Sequence, residues 1–292
     1  MNWRPVARLE FDRLMRSRGI RIFSLLLIVS FVLKLSAAGN YQEQVTATTL
    51  VIGSLQQSTV LLVVLGTLLL SHRPIAGSRE DGSIRLHLTQ PQTRFAFVIG
   101  TLIGRAGAMC LPVVIGCILN LSVGWILYGT VDLFAISVSF VTVVLYVFTG
   151  TSIGTAISVT APTGRIATLG TIGYLLFGVI LWPATGEILR PAFSALLPLG
   201  SAELTMFVRR LSPNRAYILV TNALAAVGNS AAPWSRVISA EAASEHLNLA
   251  AEGVVGTDEL WLHPGIGVLV LLFWTTVPLG LGFLTFYRAD IS

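Results

Sequence analysis

The sequence contains little charge for its length. Of its 292 residues, 11% are charged and 54% are hydrophobic, whereas soluble domains carry about 25% charged residues. A chain this apolar has no surface suited to water, which excludes a soluble domain and a disordered tail. The net charge of +5 therefore bears on membrane topology, and we expect no nucleic-acid partner.

Cysteine is also nearly absent, because Cys110 and Cys117 are the two in the chain. On one helix they lie about 10 Å apart along the axis, which is too far for a disulfide bond. A disulfide-stapled secreted module is excluded, and the pair offers no redox or metal site.

The motifs of common enzymes are missing. The sequence has no G-x-x-x-x-G-K-[ST] phosphate loop, so we expect no ATP hydrolysis by this chain, and it has no paired-histidine zinc motif. The run Gly150-Thr-Ser152-Ile-Gly154 matches G-x-S-x-G, but it lies in an apolar helix and no histidine shares its depth. We predict no catalytic residue, no metal and no cofactor bound by this chain.

Long hydrophobic runs take up most of the sequence. A bilayer crossing needs about 20 apolar residues. The predicted spans are Ile20–Ala38, Leu50–Leu70, Val98–Ile126, Leu133–Val159, Ile166–Trp182 and Gly265–Tyr287. The sequence thus predicts an all-α membrane protein with six transmembrane helices, forming a single domain over residues 1–292. A cleaved signal peptide is not expected, because the charged lead is long and contains acids.

Arginine sets the predicted orientation. The amino-terminal segment, up to the beginning of the first span, carries six arginines, the last of them Arg21, and four more lie between the second and third spans. The charged residues of the first and third connections are acids, Glu43 and Asp132. The positive-inside rule then places both termini in the cytoplasm, including the tail 288–292, and residues 183–264 outside the cell membrane.

Few charges fall inside the predicted spans. No Asp or Glu lies at the depth of a span, which weighs against a proton-driven carrier, although an ion site built from carbonyl groups stays open. Lys34 and Arg105 lie near span ends, where we expect their side chains to reach the headgroups.

The segment 1–19 predicts an amphipathic helix. Asn2 and Pro5 suit its start. One face carries apolar residues and another carries charged ones: Trp3, Ala7, Phe11 and Leu14, against Arg8, Asp12 and Arg16. We expect a helix lying on the inner leaflet, and an added contact with a cytoplasmic partner stays open.

Two further segments outside the spans have apolar character. Residues 83–89 are predicted to form two helical turns that end before Pro91, with Ile84, Leu86 and Leu88 as apolar positions. This segment is either a plain linker or a docking helix. In the outer loop, Ser212-Pro213-Asn214 begins a helix that Gly228 ends. That helix is too short to span, so it is re-entrant or lies on the surface, as a covering lid or a contact for an extracytoplasmic partner.

Three stretches resemble the permease subunits of ABC-2 type transporters, particularly the branch of the nitrous-oxide-reductase accessory permease and its archaeal relatives. They are Trp3–Arg18, Ile75–Arg94 followed by Gly100 and Gly104, and Leu281–Asp290. The resemblance implies a transmembrane exporter subunit paired with a second permease chain, identical or closely related. It also implies a separate ATPase subunit that holds the ATP and magnesium.

The same resemblance implies that residues 83–89 are a cytoplasmic coupling helix that docks on the ATPase. The residues it assigns to this contact are Glu80, Gly82, Ser83, Ile84, Arg85, Leu86, Leu88 and Arg94. It assigns the opening helix to the membrane interface through Trp3, Arg8, Phe11, Asp12 and Leu14. A stand-alone carrier or channel, and a membrane anchor for an assembly, are the alternatives.

Overall fold

The computed structural model describes residues 3–41, 43, 45–82, 93–182, 207–208, 210–227, 263 and 265–288. Their helices are α1 (Arg4–Met15), α2 (Arg18–Ala38), α3 (Ala47–Ser58), α4 (Val64–Ser71), α5 (Pro74–Glu80), α6 (Arg94–Tyr128), α7 (Leu133–Thr160), α8 (Gly164–Tyr174), α9 (Pro213–Leu224) and α10 (Gly265–Arg288). Two π-helical segments continue these helices: Thr59–Val63 joins α3 to α4, and Leu175–Ile180 extends α8. The predicted all-helical class is confirmed.

Five helical stretches are long and apolar enough to cross a bilayer. They are Arg18–Ala38, Ala47–Glu80, Arg94–Tyr128, Leu133–Thr160 and Gly265–Arg288. These correspond to the predicted spans one to four and six. The predicted fifth span corresponds to a shorter apolar helix, Gly164–Ile180, so the count of six crossings stays a prediction.

Hydroxyl and carboxyl side chains determine where several helices begin. Each of these residues accepts a hydrogen bond from a backbone N–H in the first turn: Ser17, Thr46, Thr93, Asp132 and Thr163. Such caps satisfy N–H groups that have no partner inside the helix.

Hydroxyl groups also join α7 to α10. The hydroxyls of Thr149 and Thr275 lie 2.9 Å apart, and Ser152 donates to the carbonyl oxygen of Thr275 at 2.5 Å. Ser152 is the serine of the G-x-S-x-G match, and it lies inside the helix α7, as expected. Its hydroxyl therefore serves the contact between two helices.

Helix α9 lies inside the bundle. Trp274 of α10 donates to the carbonyl oxygen of Leu211, just before α9, at 2.9 Å. Trp274 lies about 14 Å along α10 from the first residue of that helix. Within α9 itself, Ala216 and Val220 pack against Gly267, which is close to the beginning of α10. The helix therefore rises from within the bundle toward the end where α10 begins, which fits the re-entrant alternative.

Polar side chains attach α9 to its neighbours. Tyr146 of α7 stacks on Tyr217 with ring centroids 4.6 Å apart, and its hydroxyl donates to Asn214 at 2.5 Å. The hydroxyls of Thr142 and Thr221 lie 2.9 Å apart. These buried hydrogen bonds suit a short helix that enters an apolar bundle, because unpaired polar groups there are costly.

Helix α1 packs along the first third of α6. A Cβ atom on Gly100 would lie 2.6 Å from Cβ of Val6, and one on Gly104 would collide with the carbonyl oxygen of Ala7. The two glycines thus let the backbones of α1 and α6 come close together. The apolar face of α1 contacts α6, although Trp3 itself is exposed.

The predicted position of Arg105 at the headgroups is wrong. Arg105 is buried, and its Nε donates to Glu10 of α1 at 2.8 Å. A second nitrogen of its guanidinium donates to the carbonyl oxygen of Leu70. The arginine turns inward because α1 supplies a carboxylate beside α6, which local sequence does not reveal.

Candidate functional site

Five arginines lie at or beside the helix ends where α5 ends, α6 and α8 begin and α10 ends. They are Arg73, Arg79, Arg94, Arg165 and Arg288. We call this part of the molecule the arginine-rich end. The predicted coupling segment leaves it at Gly82 and returns to it at Thr93.

Helix α5 is fixed by the neighbouring helix α7. Pro74 occupies its first turn, where a missing N–H costs nothing. The hydroxyl oxygen of Ser158 accepts hydrogen bonds from the N–H groups of Ile75 and Ala76 at 3.0 and 3.1 Å. The helical path of the second span therefore continues beyond the predicted limit at Leu70, through Glu80.

Glu80 is placed against the beginning of α8. Its carboxylate accepts the N–H of Gly164 at 2.9 Å, where the positive end of a helix dipole favours an anion. A Cβ atom on Gly164 would lie 2.8 Å from that carboxylate and 3.0 Å from the Arg73 guanidinium. Glu80 is otherwise exposed.

Arg79 and Arg94 both lie on Phe286, near the end of α10. Their guanidinium carbons are 4.8 and 5.6 Å from the centre of its ring, and the ring is fully buried. Arg94 donates to the carbonyl oxygens of Phe286 and Tyr287 at 2.8 and 2.9 Å. Arg79 donates to the carbonyl oxygen of Ala161 at 2.9 Å, at the end of α7.

The two ends of the predicted coupling segment are thereby attached to three other helices. Before it, Arg79 and Glu80 bind the end of α7 and the beginning of α8. After it, Arg94 binds the end of α10. Gly82 has a positive φ of 73°, which glycine adopts readily and other residues rarely do.

Five residues assigned to the ATPase contact lie outside the described residues: Ser83, Ile84, Arg85, Leu86 and Leu88. The three that the structure describes, Glu80, Gly82 and Arg94, are all at the arginine-rich end. Arg94 is bound to α10 within the chain, so we expect it to position the segment.

The residues assigned to the membrane interface divide between two faces of α1. Leu14 is buried and Phe11 half-buried, with its ring 3.6 Å from a Cβ placed on Gly107. Arg8 and Asp12 are exposed on the other face. The interface role stays a prediction, and the structure adds that α1 is held by α6.

Sequence reasoning missed Arg79, Phe286 and the pair of Glu10 with Arg105. The sequence did contain a signal for these contacts, because the three stretches that carry the family resemblance contact one another in the structure. Residues of Trp3–Arg18 pack on Gly100 and Gly104, and Arg94 binds the stretch Leu281–Asp290. Among the described residues, no group of three His, Cys, Asp or Glu side chains is placed to hold a metal ion.

The fold and this site define a multi-pass helical membrane protein in which several helix ends meet at the residues that flank one segment between two spans. A family model described as ABC-2 family transporter protein matches residues 4–291. The chain therefore belongs to the ABC-2 transporter family, as a membrane component of a kind that typically lacks catalytic activity. No curated protein matches the chain in a sequence search.

Proposed function

We propose that this chain is the permease subunit of an ABC exporter, and that residues 83–89 couple it to a separate ATPase. ATP and magnesium are held by that ATPase, and a second permease chain completes the translocation path. Both termini and the arginine-rich end face the cytoplasm, and the chain crosses the cell membrane six times. We also propose the branch of the nitrous-oxide-reductase accessory permease, on the stretch Ile75–Arg94.

One observation supports this coupling most strongly. The residues that flank the segment 83–92 on either side bind the ends of three other helices, α7, α8 and α10. A plain linker needs no such attachments. A force applied to the segment by another subunit would reach these helices directly, through hydrogen bonds and packed side chains.

The apolar positions of the segment supply the proposed contact. Ile84, Leu86 and Leu88 give it more apolar surface than a solvated connection needs. Apolar side chains seated in a groove of the ATPase would hold the two subunits together, because burial contributes about 25 cal/mol per Å². Arg85 and Glu80 would add polar contacts at its rim.

The test uses the full-length chain, tagged and purified from its own cell membrane. We expect a phosphate-loop ATPase to co-purify with the wild type. Leu86→Asp should abolish the co-purification, because it places a charge in the apolar contact, and Leu86→Met should keep it, because it conserves volume and polarity. Retention of the ATPase by Leu86→Asp would contradict the proposal.

The alternative of a stand-alone carrier or channel predicts different behaviour. Its transport would follow an ion gradient and continue when the ATPase is removed. The alternative of a membrane anchor predicts that Gly82 or Arg85 substitutions spare ATPase coupling while binding to the assembly persists. Either outcome would replace the exporter assignment.

A further inference from the structure

A cavity of about 650 Å³ lies between α2, the segment Thr59–Val63, the end of the α8 extension and α9. Its volume falls in the range of small-molecule sites, about 300–1,000 Å³. Leu33 and Leu61 line it and are 63% and 56% exposed. The cavity is therefore open on the side of these leucines, on the outer surface of the described bundle.

Its walls combine a long apolar surface with a few polar groups. The apolar residues include Leu26, Val29, Leu33, Leu61, Val179 and Ile218. Ser30 donates to Ser58 at 2.8 Å, which joins two helices along the wall. This mixture suits an amphiphile, whose apolar part lies on the leucines and whose head group lies on the polar side.

The charged side chains among the described residues of the lining are basic. Lys34 and Arg215 both line the cavity, and no carboxylate is among the described residues of its wall. Lys34 forms no ion pair with any residue that the structure describes. A cation near an apolar environment attracts an anionic group strongly, because water screens the charge less there.

Gln56 adds an unmet acceptor to the same wall. Its side-chain nitrogen donates to Asn222 at 2.5 Å, and the residue is 2% exposed. Its side-chain oxygen has no hydrogen-bond partner within the described part of the chain. A buried acceptor without a donor is unfavourable. The oxygen is buried in this conformation, and a small rotation of the side chain toward the cavity would let a ligand hydroxyl supply the donor.

Both π-helical segments border this cavity. Val60 and Leu62 belong to Thr59–Val63, and Val179 belongs to Leu175–Ile180. π-Helical turns are rare and occur frequently at functional sites. Their presence on two sides of one cavity points to a binding site there.

We propose that this cavity binds an amphiphile with an anionic, hydroxyl-bearing head group. The acyl part lies on the leucine wall, the anionic group pairs with Lys34, and a hydroxyl donates to Gln56. Such a molecule is either a lipid of the surrounding bilayer or transported cargo. The identification of this molecule as cargo rests on the proposed exporter function. The binding site itself does not depend on that function.

The first test measures binding of phosphatidylglycerol to the purified full-length chain in micelles without anionic lipid. We expect tighter binding than for phosphatidylcholine, which has no net charge. Lys34→Gln should weaken phosphatidylglycerol binding about tenfold, as the loss of one charge-assisted hydrogen bond implies, and Lys34→Arg should restore it. Arg21→Gln, an exposed charge on the same helix, should leave the affinity unchanged.

A second pair of variants tests the location without removing a charge. Val29→Trp fills the cavity and should abolish binding, whereas Ile22→Trp enlarges an exposed residue of α2 outside its wall and should have no effect. Phosphatidylmethanol, which is anionic but lacks head-group hydroxyls, should bind more weakly than phosphatidylglycerol. Equal affinity for these two lipids would overturn the assignment of the hydroxyl to Gln56.

The two sources are separated in the assembled complex with its ATPase. Cargo should raise ATP turnover and depend on Lys34, whereas a resident lipid should bind with no change in turnover; both results support the site. Unchanged binding in both Lys34→Gln and Val29→Trp would overturn it. A second outcome would also overturn the proposal: no lipid binds, and a second permease chain protects Lys34. That result would assign this face to an interface between protomers.

Discussion

Glu10 of α1 and Arg105 of α6 form a buried ion pair that joins these two helices. The two side chains are 6% and 10% exposed and 2.8 Å apart. Burial removes water from both charges, so the pair is favourable only while each charge has its partner. Arg13 adds a second cation at 3.0 Å from the Glu10 carboxylate, on the exposed side.

We predict that Glu10→Ala destabilises the protein by about 3–5 kcal/mol, the effect of leaving one buried charge without its partner. The measurement is the thermal unfolding of the purified chain in detergent. Asp12→Ala removes an exposed acid from the same helix and should change the midpoint little.

A double-mutant cycle checks the physical cause. If the loss comes from the unpaired guanidinium, then Arg105→Met added to Glu10→Ala should recover part of the stability. Additive losses from the two single variants would contradict this account of the pair.

At the scale of elements, the beginning of the proposed coupling segment depends on one backbone conformation. Gly82 ends the turn after α5 with a φ of 73°, and no heavy atom lies within 4 Å of a Cβ placed on it. A side chain there would be accommodated sterically by its neighbours but would strain its own backbone. Gly77, within α5, has the same open surroundings and carries no positive φ.

We therefore predict that Gly82→Ala weakens retention of the ATPase by about 5- to 30-fold, because the left-handed conformation costs a residue with a Cβ about 1–2 kcal/mol. The measurement is co-purification from the membrane at graded detergent stringency. Gly77→Ala should retain the ATPase as the wild type does. Gly82→Asn should recover binding, since asparagine tolerates this conformation.

Helix position was largely predictable from the sequence, and helix contacts were not. Apolar runs of about 20 residues located the five long spans, because crossing a bilayer imposes that length. The continuation through Glu80 was missed, because the N–H groups that begin α5 are bound by Ser158, which is far along the chain. Arg105 was misplaced for the same reason, since its carboxylate lies on a different helix.

At the scale of the whole molecule, the arginine-rich end joins helices that are distant in sequence. Arg94 begins α6 and binds the last turn of α10, while Arg79 binds the same aromatic ring from α5. The sequence predicted the arginine-rich connection that carries Arg79 and Arg94, but not the meeting of these two side chains on Phe286, because periodicity within a helix carries no information on its neighbours. This junction connects the predicted coupling segment with the last span.

The junction gives a prediction that separates binding of the ATPase from transmission of its movement. Arg94→Gln removes the guanidinium that donates to Phe286 and Tyr287, and it leaves residues 83–89 unchanged. We expect the ATPase to stay bound, whereas ATP turnover linked to transport falls roughly tenfold or more. That size follows from losing a charge-assisted hydrogen bond of about 1.5–3 kcal/mol.

The measurement is ATP turnover of the assembled complex in lipid nanodiscs, together with the amount of ATPase retained. Arg165→Gln is the matched control, because Arg165 is an exposed arginine at the same end, and it should match the wild type in both readouts. Leu86→Asp should instead lose the ATPase altogether. If Arg94→Gln also releases the ATPase, then Arg94 contacts that subunit directly; if turnover is unchanged, movement reaches α10 by a route other than Arg94.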